Sequence, residues 1–429
     1  MLTLADFNVE RKETFLSSGT RFVHFYRPNM PLSIDLVAMA GSKYNAEGKE
    51  GTAHFLEHIL TAGTKDFPTK DKLAEFIEDL GGSMSASTGP HNLSLKVAVG
   101  DPNDAASAIK LLSEELLNSL FADKAVESER SVILKELGTK KSNPVRILAD
   151  ISRSLLYQKT DIGRSNLGSD ESIKSITKDD LLEFYKLNFN SNRIAIISSG
   201  GADFESMVEL CEKNLLLPNG PKPDYRKEIP ILRDKLISIE KFTQNDTVNI
   251  SFDFRSAFGF DKDVNALIIM AMIIGGGRAS TLNKRLRYDK GLVYSVKAGA
   301  ASTIDAGSFG VFTSTSKIHV QEVLNIICDE IKRLSIVGIT QEELNFAKNK
   351  IIKSKRMSLQ TSESWVDWHT AHTLYDESSW TIEDYLKEIN SVTIDDTKRV
   401  ASKYLNENNW YLSMTGDIEE SEVKVLFDT

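Results

Sequence analysis

An α+β fold built twice over is what this sequence predicts, and three observations predict it. Short stretches of period-two alternation give way to helical runs without a strict strand-helix-strand rhythm, which suits a largely antiparallel sheet packed with helices. A stretch of the first half recurs in the second: Ser172–Asp180 (SIKSITKDD) matches Glu388–Asp396 (EINSVTIDD), and at the same offset Asn192 falls on Asn408 and Gly200 on Gly416. Between the copies Pro218, Pro221, Pro223 and Pro230 crowd together, and no proline follows Pro230. Proline stiffens the chain and blocks helices, so these residues mark a linker. The expected organisation is a first domain over 1–217, a linker over 218–235 and a homologous second domain over 236–429.

Taken in order, Arg21–Tyr26 and Ser33–Ala40 read as strands, and Lys70–Leu80 reads as an amphipathic helix stopped by Gly81 and Gly82. Ser83–Thr88 and Asn92–Val99 follow as two strands around a Gly-Pro turn, the second with clean alternation. Asp104–Leu120 and Asp123–Leu137 read as helices.

The stretch that carries chemistry lies between the first strands and the first amphipathic helix. Gly51–Leu60 (GTAHFLEHIL) favours a helix, and a helix places His54 and His58 about one turn apart on one face, where two imidazoles can grip one metal ion. Glu57 projects beside them, close enough to take a proton from water at that ion. The pattern is H-x-x-E-H, the inverted form of the zinc-protease helix. A tetrahedral site with an open position needs a third protein ligand. The helical run Glu127–Glu136 (ESERSVILKE) offers Glu129 and Glu136, seven apart on one face with Val132 and Ile133 between them.

With this motif, the seventy-eight positions from His58 to Glu136, and Glu129 seven residues earlier, the chain resembles the pitrilysin and insulin-degrading-enzyme superfamily. The likeness is nearest to the mitochondrial-processing-peptidase branch and its bacterial relatives. The resemblance implies two α/β sandwich domains and one zinc per chain, held by His54, His58 and Glu136. It implies Glu57 as the general base and Glu129 as an outer carboxylate that orients a ligand. Arg287 and Tyr294, seven apart in the second copy, would by the same likeness hold substrate and stabilise the oxyanion, for which a guanidinium and a phenol are suited donors. The strand Ser83, Met84, Ser85, Ala86, Ser87 would bind an extended peptide by adding a strand to the sheet. The family commonly has Asn-Ala where this chain has Ser85-Ala86, which leaves backbone pairing intact and removes the asparagine's side-chain contact.

In the second copy Ala271–Gly275 (AMIIG) stands where the first has His54–His58, so metal chemistry is expected in the first domain alone. His369 and His372 are a decoy: with Trp365 and Trp368 beside them and no carboxylate at ligand spacing, they suit packing. Gly275–Gly277 lacks the signature of a phosphate loop.

Composition sets limits on partners and place. The 429 residues are 41% hydrophobic and 26% charged, as in ordinary globular proteins. A net charge of −9 argues against general nucleic-acid binding. No run approaches a membrane span, and the N-terminus lacks a basic start followed by an apolar core, so the chain reads as cytoplasmic. Cys211 and Cys328 lie far apart in apolar helical contexts and read as buried hydrophobes. The expected protein is a zinc endopeptidase acting on extended or unfolded peptides in a chamber formed by a homodimer. A catalytically silent assembly subunit is the first alternative, and an enzyme needing a different partner chain is the second.

Overall fold

The computed structural model describes residues 3–223, 229–243, 246–375 and 378–425, so residues 224–228 of the expected linker lie outside the described residues. The first half runs β1 (Glu10–Phe15), β2 (Arg21–Tyr26), β3 (Leu32–Ala38), α1 (Thr52–Leu60), α2 (Lys70–Asp79), β4 (Ser83–Thr88) and β5 (Leu93–Val99). It continues through α3 (Ala105–Leu117), α4 (Asp123–Lys141), α5 (Pro144–Leu156), α6 (Asp170–Ser175), α7 (Lys178–Asn188), β6 (Ile194–Gly200) and α8 (Phe204–Asn214). The second half runs β7 (Ile237–Lys241), β8 (Thr247–Arg255), α9 (Asp263–Gly275), β9 (Val293–Ser302) and β10 (Gly307–Ser316). It closes with α10 (Val320–Lys332), α11 (Gln341–Ser358), α12 (Ser362–Tyr375), α13 (Ile382–Ser391), α14 (Ile394–Tyr404) and β11 (Trp410–Gly416).

The duplication is structural as well as sequential. One sheet has the order β1-β2-β6-β3-β5-β4 and the other β7-β11-β8-β10-β9, which is the same order without the extra edge strand β1. Each sheet is antiparallel except for one parallel pair, β2 with β6 and β7 with β11. Thr177 and Thr393 cap α7 and α14 in the same way, each closing a capping box with an aspartate three residues on, Asp180 and Asp396. The fold is therefore two mixed α/β sandwiches with largely antiparallel sheets.

The compact units do not follow the halves of the sequence. One unit comprises Met1–Gly138, Arg164–Asp224 and Arg356–Glu383, and the other Thr139–Gly163, Tyr225–Lys355 and Asp384–Thr429. The division read from the proline cluster tracks the repeat, while the units trade one helix in each direction. Helix α12 packs on β6, β3 and β2 of the first unit. There Trp365 is fully buried, and the rings of Phe25 and His369 lie 4.1 Å apart. Helix α5 packs on β11, β8 and β7 of the second, where Ser152 donates to Asp253 at 2.7 Å and Thr415 donates to the carbonyl of Pro144 at 3.0 Å.

Each unit has its own core. The first gathers Phe22, Ile34, Phe55, Leu56, Ile109, Ile133 and Ile196, and the second Phe252, Phe254, Ile269, Phe309, Leu324 and Leu412. Both cysteines are free and buried.

One charge sits wrongly for such a core. Glu115 on α3 is 1% exposed, its Oε1 finds no hydrogen-bond partner among the described residues, and burial pushes its carboxyl up to about 8 from an ordinary 4.5. Between those two values the folded chain holds a proton that the unfolded chain has released. Stability from this group is therefore full below pH 4.5 and falls by about 1.4 kcal/mol per pH unit as pH rises towards 8. Urea unfolding of wild type and Glu115→Gln at pH 5.5 and 7.5 should show the variant gaining roughly 2–3 kcal/mol relative to wild type between the two. An unchanged difference would mean that Glu115 is ionised in the folded protein.

Candidate metal centre

Helix α1 begins where the chain has little choice. Gly51 has φ +96°, and a Cβ there would stand 2.6 Å from Ile173 Cδ1 and 2.8 Å from the carbonyl oxygen of Leu167. Asn45 Oδ1 accepts from the amide of Ala53 at 2.9 Å, satisfying one of the N–H groups that a helix start leaves open. From there α1 buries Thr52, Ala53, Phe55, Leu56, Ile59 and Leu60 in the first unit's core. Its remaining face carries His54, Glu57 and His58, all half-buried.

Helix α4 brings the acidic residues. Val126, Glu129, Ile133 and Leu137 form its buried stripe, so Glu129 is carried inward with the apolar residues. The side chain of Glu136 stays half-exposed at the stripe's edge. Val132, expected between the two glutamates, instead turns outward at 39% exposure, because the stripe is narrower than the shared face read from sequence. Arg130 locks the helix in place. Its guanidinium lies 5.2 Å from the Phe55 ring of α1 and donates to the carbonyls of Ile173 and Ile176.

The structure brings His54, His58 and Glu136 together. His54 Nε2 lies 3.6 Å and His58 Nε2 3.7 Å from Glu136 Oε2, and one ligand atom from each of the three residues falls within 4.8 Å of the others. Ligands at about 2.1 Å from a tetrahedral zinc stand about 3.4 Å apart, so two imidazole nitrogens and a carboxylate oxygen at these separations fit the ion. His58 Nδ1 donates to Glu129 Oε2 at 2.9 Å, which fixes the ring with its Nε2 lone pair towards Glu136. Glu57 is held by Thr88, whose hydroxyl donates to Oε2 at 2.5 Å. Burial raises the proton affinity of Glu57, as does Glu136; the Thr88 hydroxyl and His58 oppose the shift.

Two contributors were not visible in the sequence. Thr88 closes β4 and reaches Glu57 across 31 positions, and Lys70 at the start of α2 reaches Glu129, with Nζ 2.7 Å from Oε1. Neither pairing has a spacing signal, since both depend on how α1, α2, α4 and β4 come together.

Strand β4, with Ser83, Met84, Ser85, Ala86 and Ser87, is an edge of its sheet and pairs with β5. Its three serines face solvent, while Met84 and Ala86 turn inward. In the second unit Arg287 lies in a π-helical turn, Asn283–Tyr288, and Tyr294 lies near the start of β9 at 84% exposure. The Arg287 guanidinium stands 5.1 Å from the Tyr294 ring and 5.5 Å from that of Tyr288, so the pair is together and exposed. Gly275 is a packing residue: a Cβ there would fall 2.1 Å from the amide nitrogen of Ala298 on β9. His369 is buried with Nδ1 donating to the Trp365 carbonyl, and His372 stacks on Trp380 at 3.7 Å.

Comparison with known proteins fits this geometry. Residues 27–170 match the family described as Insulinase (Peptidase family M16), and residues 175–351 match the Peptidase M16 inactive domain. An uncharacterized zinc protease of Streptomyces coelicolor is 25% identical over 428 residues, 97% of this chain and 92% of that protein. The mitochondrial-processing peptidase subunit beta of Mus musculus is 26% identical over 428 residues, covering 96% of this chain and 85% of that one. A solved structure of a peptidase M16 inactive domain from Pseudomonas fluorescens shares the fold, with a TM-score of 0.87 at 19% identity over 96% of this chain and 98% of that one. Among the described residues no helix is long and apolar enough to cross a membrane.

Proposed function

Since the chain belongs to the M16 peptidase superfamily, near its processing-peptidase-like branch, we propose that it is a working zinc endopeptidase that cuts extended or unfolded peptides. The observation that carries this reading is the convergence of His54, His58 and Glu136, with Glu57 beside them and Glu129 behind His58. A silent subunit has no need of the complete set.

His54, His58 and Glu136 would hold one zinc per chain, which when bound polarises a peptide carbonyl and acidifies water beside it. Glu57 takes the proton of that water and returns it to the leaving amine. Thr88 keeps the Glu57 carboxylate aimed at the centre. The free edge of β4 pairs with the substrate backbone, so a peptide must be extended to be cut. Arg287 and Tyr294 supply donors to the developing oxyanion, and we assign them to the facing copy of a homodimer, following the closed chamber of two subunits that the family resemblance implies.

Metal analysis with cleavage mapping on a library of unstructured peptides tests the reading. Wild type should carry one zinc per chain and cleave the library while sparing folded proteins. Glu136→Gln, having lost its anionic ligand, should lose both metal and cleavage. Full zinc in that variant would move the ligand elsewhere, and zinc-loaded wild type that cuts nothing would favour the silent-subunit alternative.

A further inference from the structure

The polar chain behind the metal ligands does not end at Glu129. That carboxylate is 7% exposed and uses both oxygens: Oε2 accepts from His58 Nδ1 at 2.9 Å, and Oε1 meets Lys70 Nζ at 2.7 Å. Lys70 is the first residue of α2, whose start is set by Thr69 accepting from the amide of Lys72. Its backbone is thus anchored, and its side chain spans to α4.

We propose that Lys70 is a positioning residue of the metal centre, acting through Glu129 to hold His58 in the ligating tautomer and orientation. The inference rests on reading His54, His58 and Glu136 as the zinc ligands. The charges explain why a cation is needed there. Counted formally, Glu57, Glu129 and Glu136 bring three carboxylates to one half-buried cluster, and a divalent ion offsets two of them. Lys70 cancels the third, at the glutamate most removed from water. Without it Glu129 keeps only one imidazole N–H as its charge-assisted partner, and its carboxylate is free to turn or to shift away from His58. Either change removes the acceptor that orients His58.

An ordinary surface ion pair would look different. Lys72, two residues on, pairs with Glu75 in its own helix, and both partners are more than half exposed. That pair supplies an internal control, since Lys72→Met removes a cation from the same helix without touching Glu129.

The experiment is zinc affinity of the metal-stripped full chain, measured by competition with a chelating dye, with thermal unfolding of each stripped protein alongside. Lys70→Met should lose about tenfold in zinc affinity, the lower end of the cost of removing an outer partner of a metal ligand. Lys70→Arg should restore most of it, and Lys72→Met should match wild type. In the Glu129→Gln background Lys70→Met should cost nothing further, which a general effect on folding would not reproduce. If Lys70→Met binds zinc as tightly as wild type, or loses as much with Glu129 already removed, the role is wrong. Wild type that fails to bind zinc at all overturns the ligand set and this inference with it, a result distinct from a variant that matches a zinc-binding wild type.

Discussion

Glu57→Gln should keep its zinc and lose about a thousandfold in peptide hydrolysis, within the range that a positioned general base contributes. Glu57 shares the half-buried face of α1 with His54 and His58, yet the candidate ligand atoms converge without it. Its own contact is the Thr88 hydroxyl, and the glutamine carbonyl can accept the same hydrogen bond, so the amide should sit in the same place. What it lacks is a site for the proton. Metal content and turnover measured on one preparation decide the matter: unchanged zinc with more than about a tenth of wild-type rate would remove Glu57 from the proton path.

Mixing His58→Ala with Tyr294→Phe should recover roughly a quarter of wild-type activity from two proteins that are each nearly inactive, an estimate that assumes a twofold dimer of identical subunits. Random exchange makes half of the dimers mixed. In each of those, one site combines an intact metal set from one chain with an intact Tyr294 from the other, and its twin carries both defects. Exchange is followed independently by differently tagged chains. Complete exchange without recovery would mean that Arg287 and Tyr294 serve their own chain or stand outside the chemistry. A wild-type monomer with full activity would lead to the same conclusion.

Local signals were the most legible. Strand β4 was read with the boundaries the structure gives, because Gly81 and Gly82 stop the preceding helix and the alternation that follows is short and clean. Helix α1 was equally plain, since apolar spacing fixed which of its faces is buried and left His54, Glu57 and His58 on the other. The pairings of Thr88 with Glu57 and Lys70 with Glu129 were not legible, because a hydroxyl or an ammonium far along the chain advertises no partner. The trade of α5 and α12 was hidden for a related reason. Amphipathic spacing says that a helix has a face to bury but not which sheet will bury it.

That trade has a consequence in time. Helix α12 covers β2, β3 and β6, yet it leaves the ribosome some 175 residues after β6 is complete. At about 5–20 residues per second the nascent sheet stands uncovered for roughly 10–35 seconds. The histidines and glutamates of the centre are all made early, but the unit that holds them in register is closed only when most of the chain has been synthesised. A chain broken off before Ser362 carries His54, Glu57, His58, Glu129 and Glu136 without the helix that covers β2, β3 and β6.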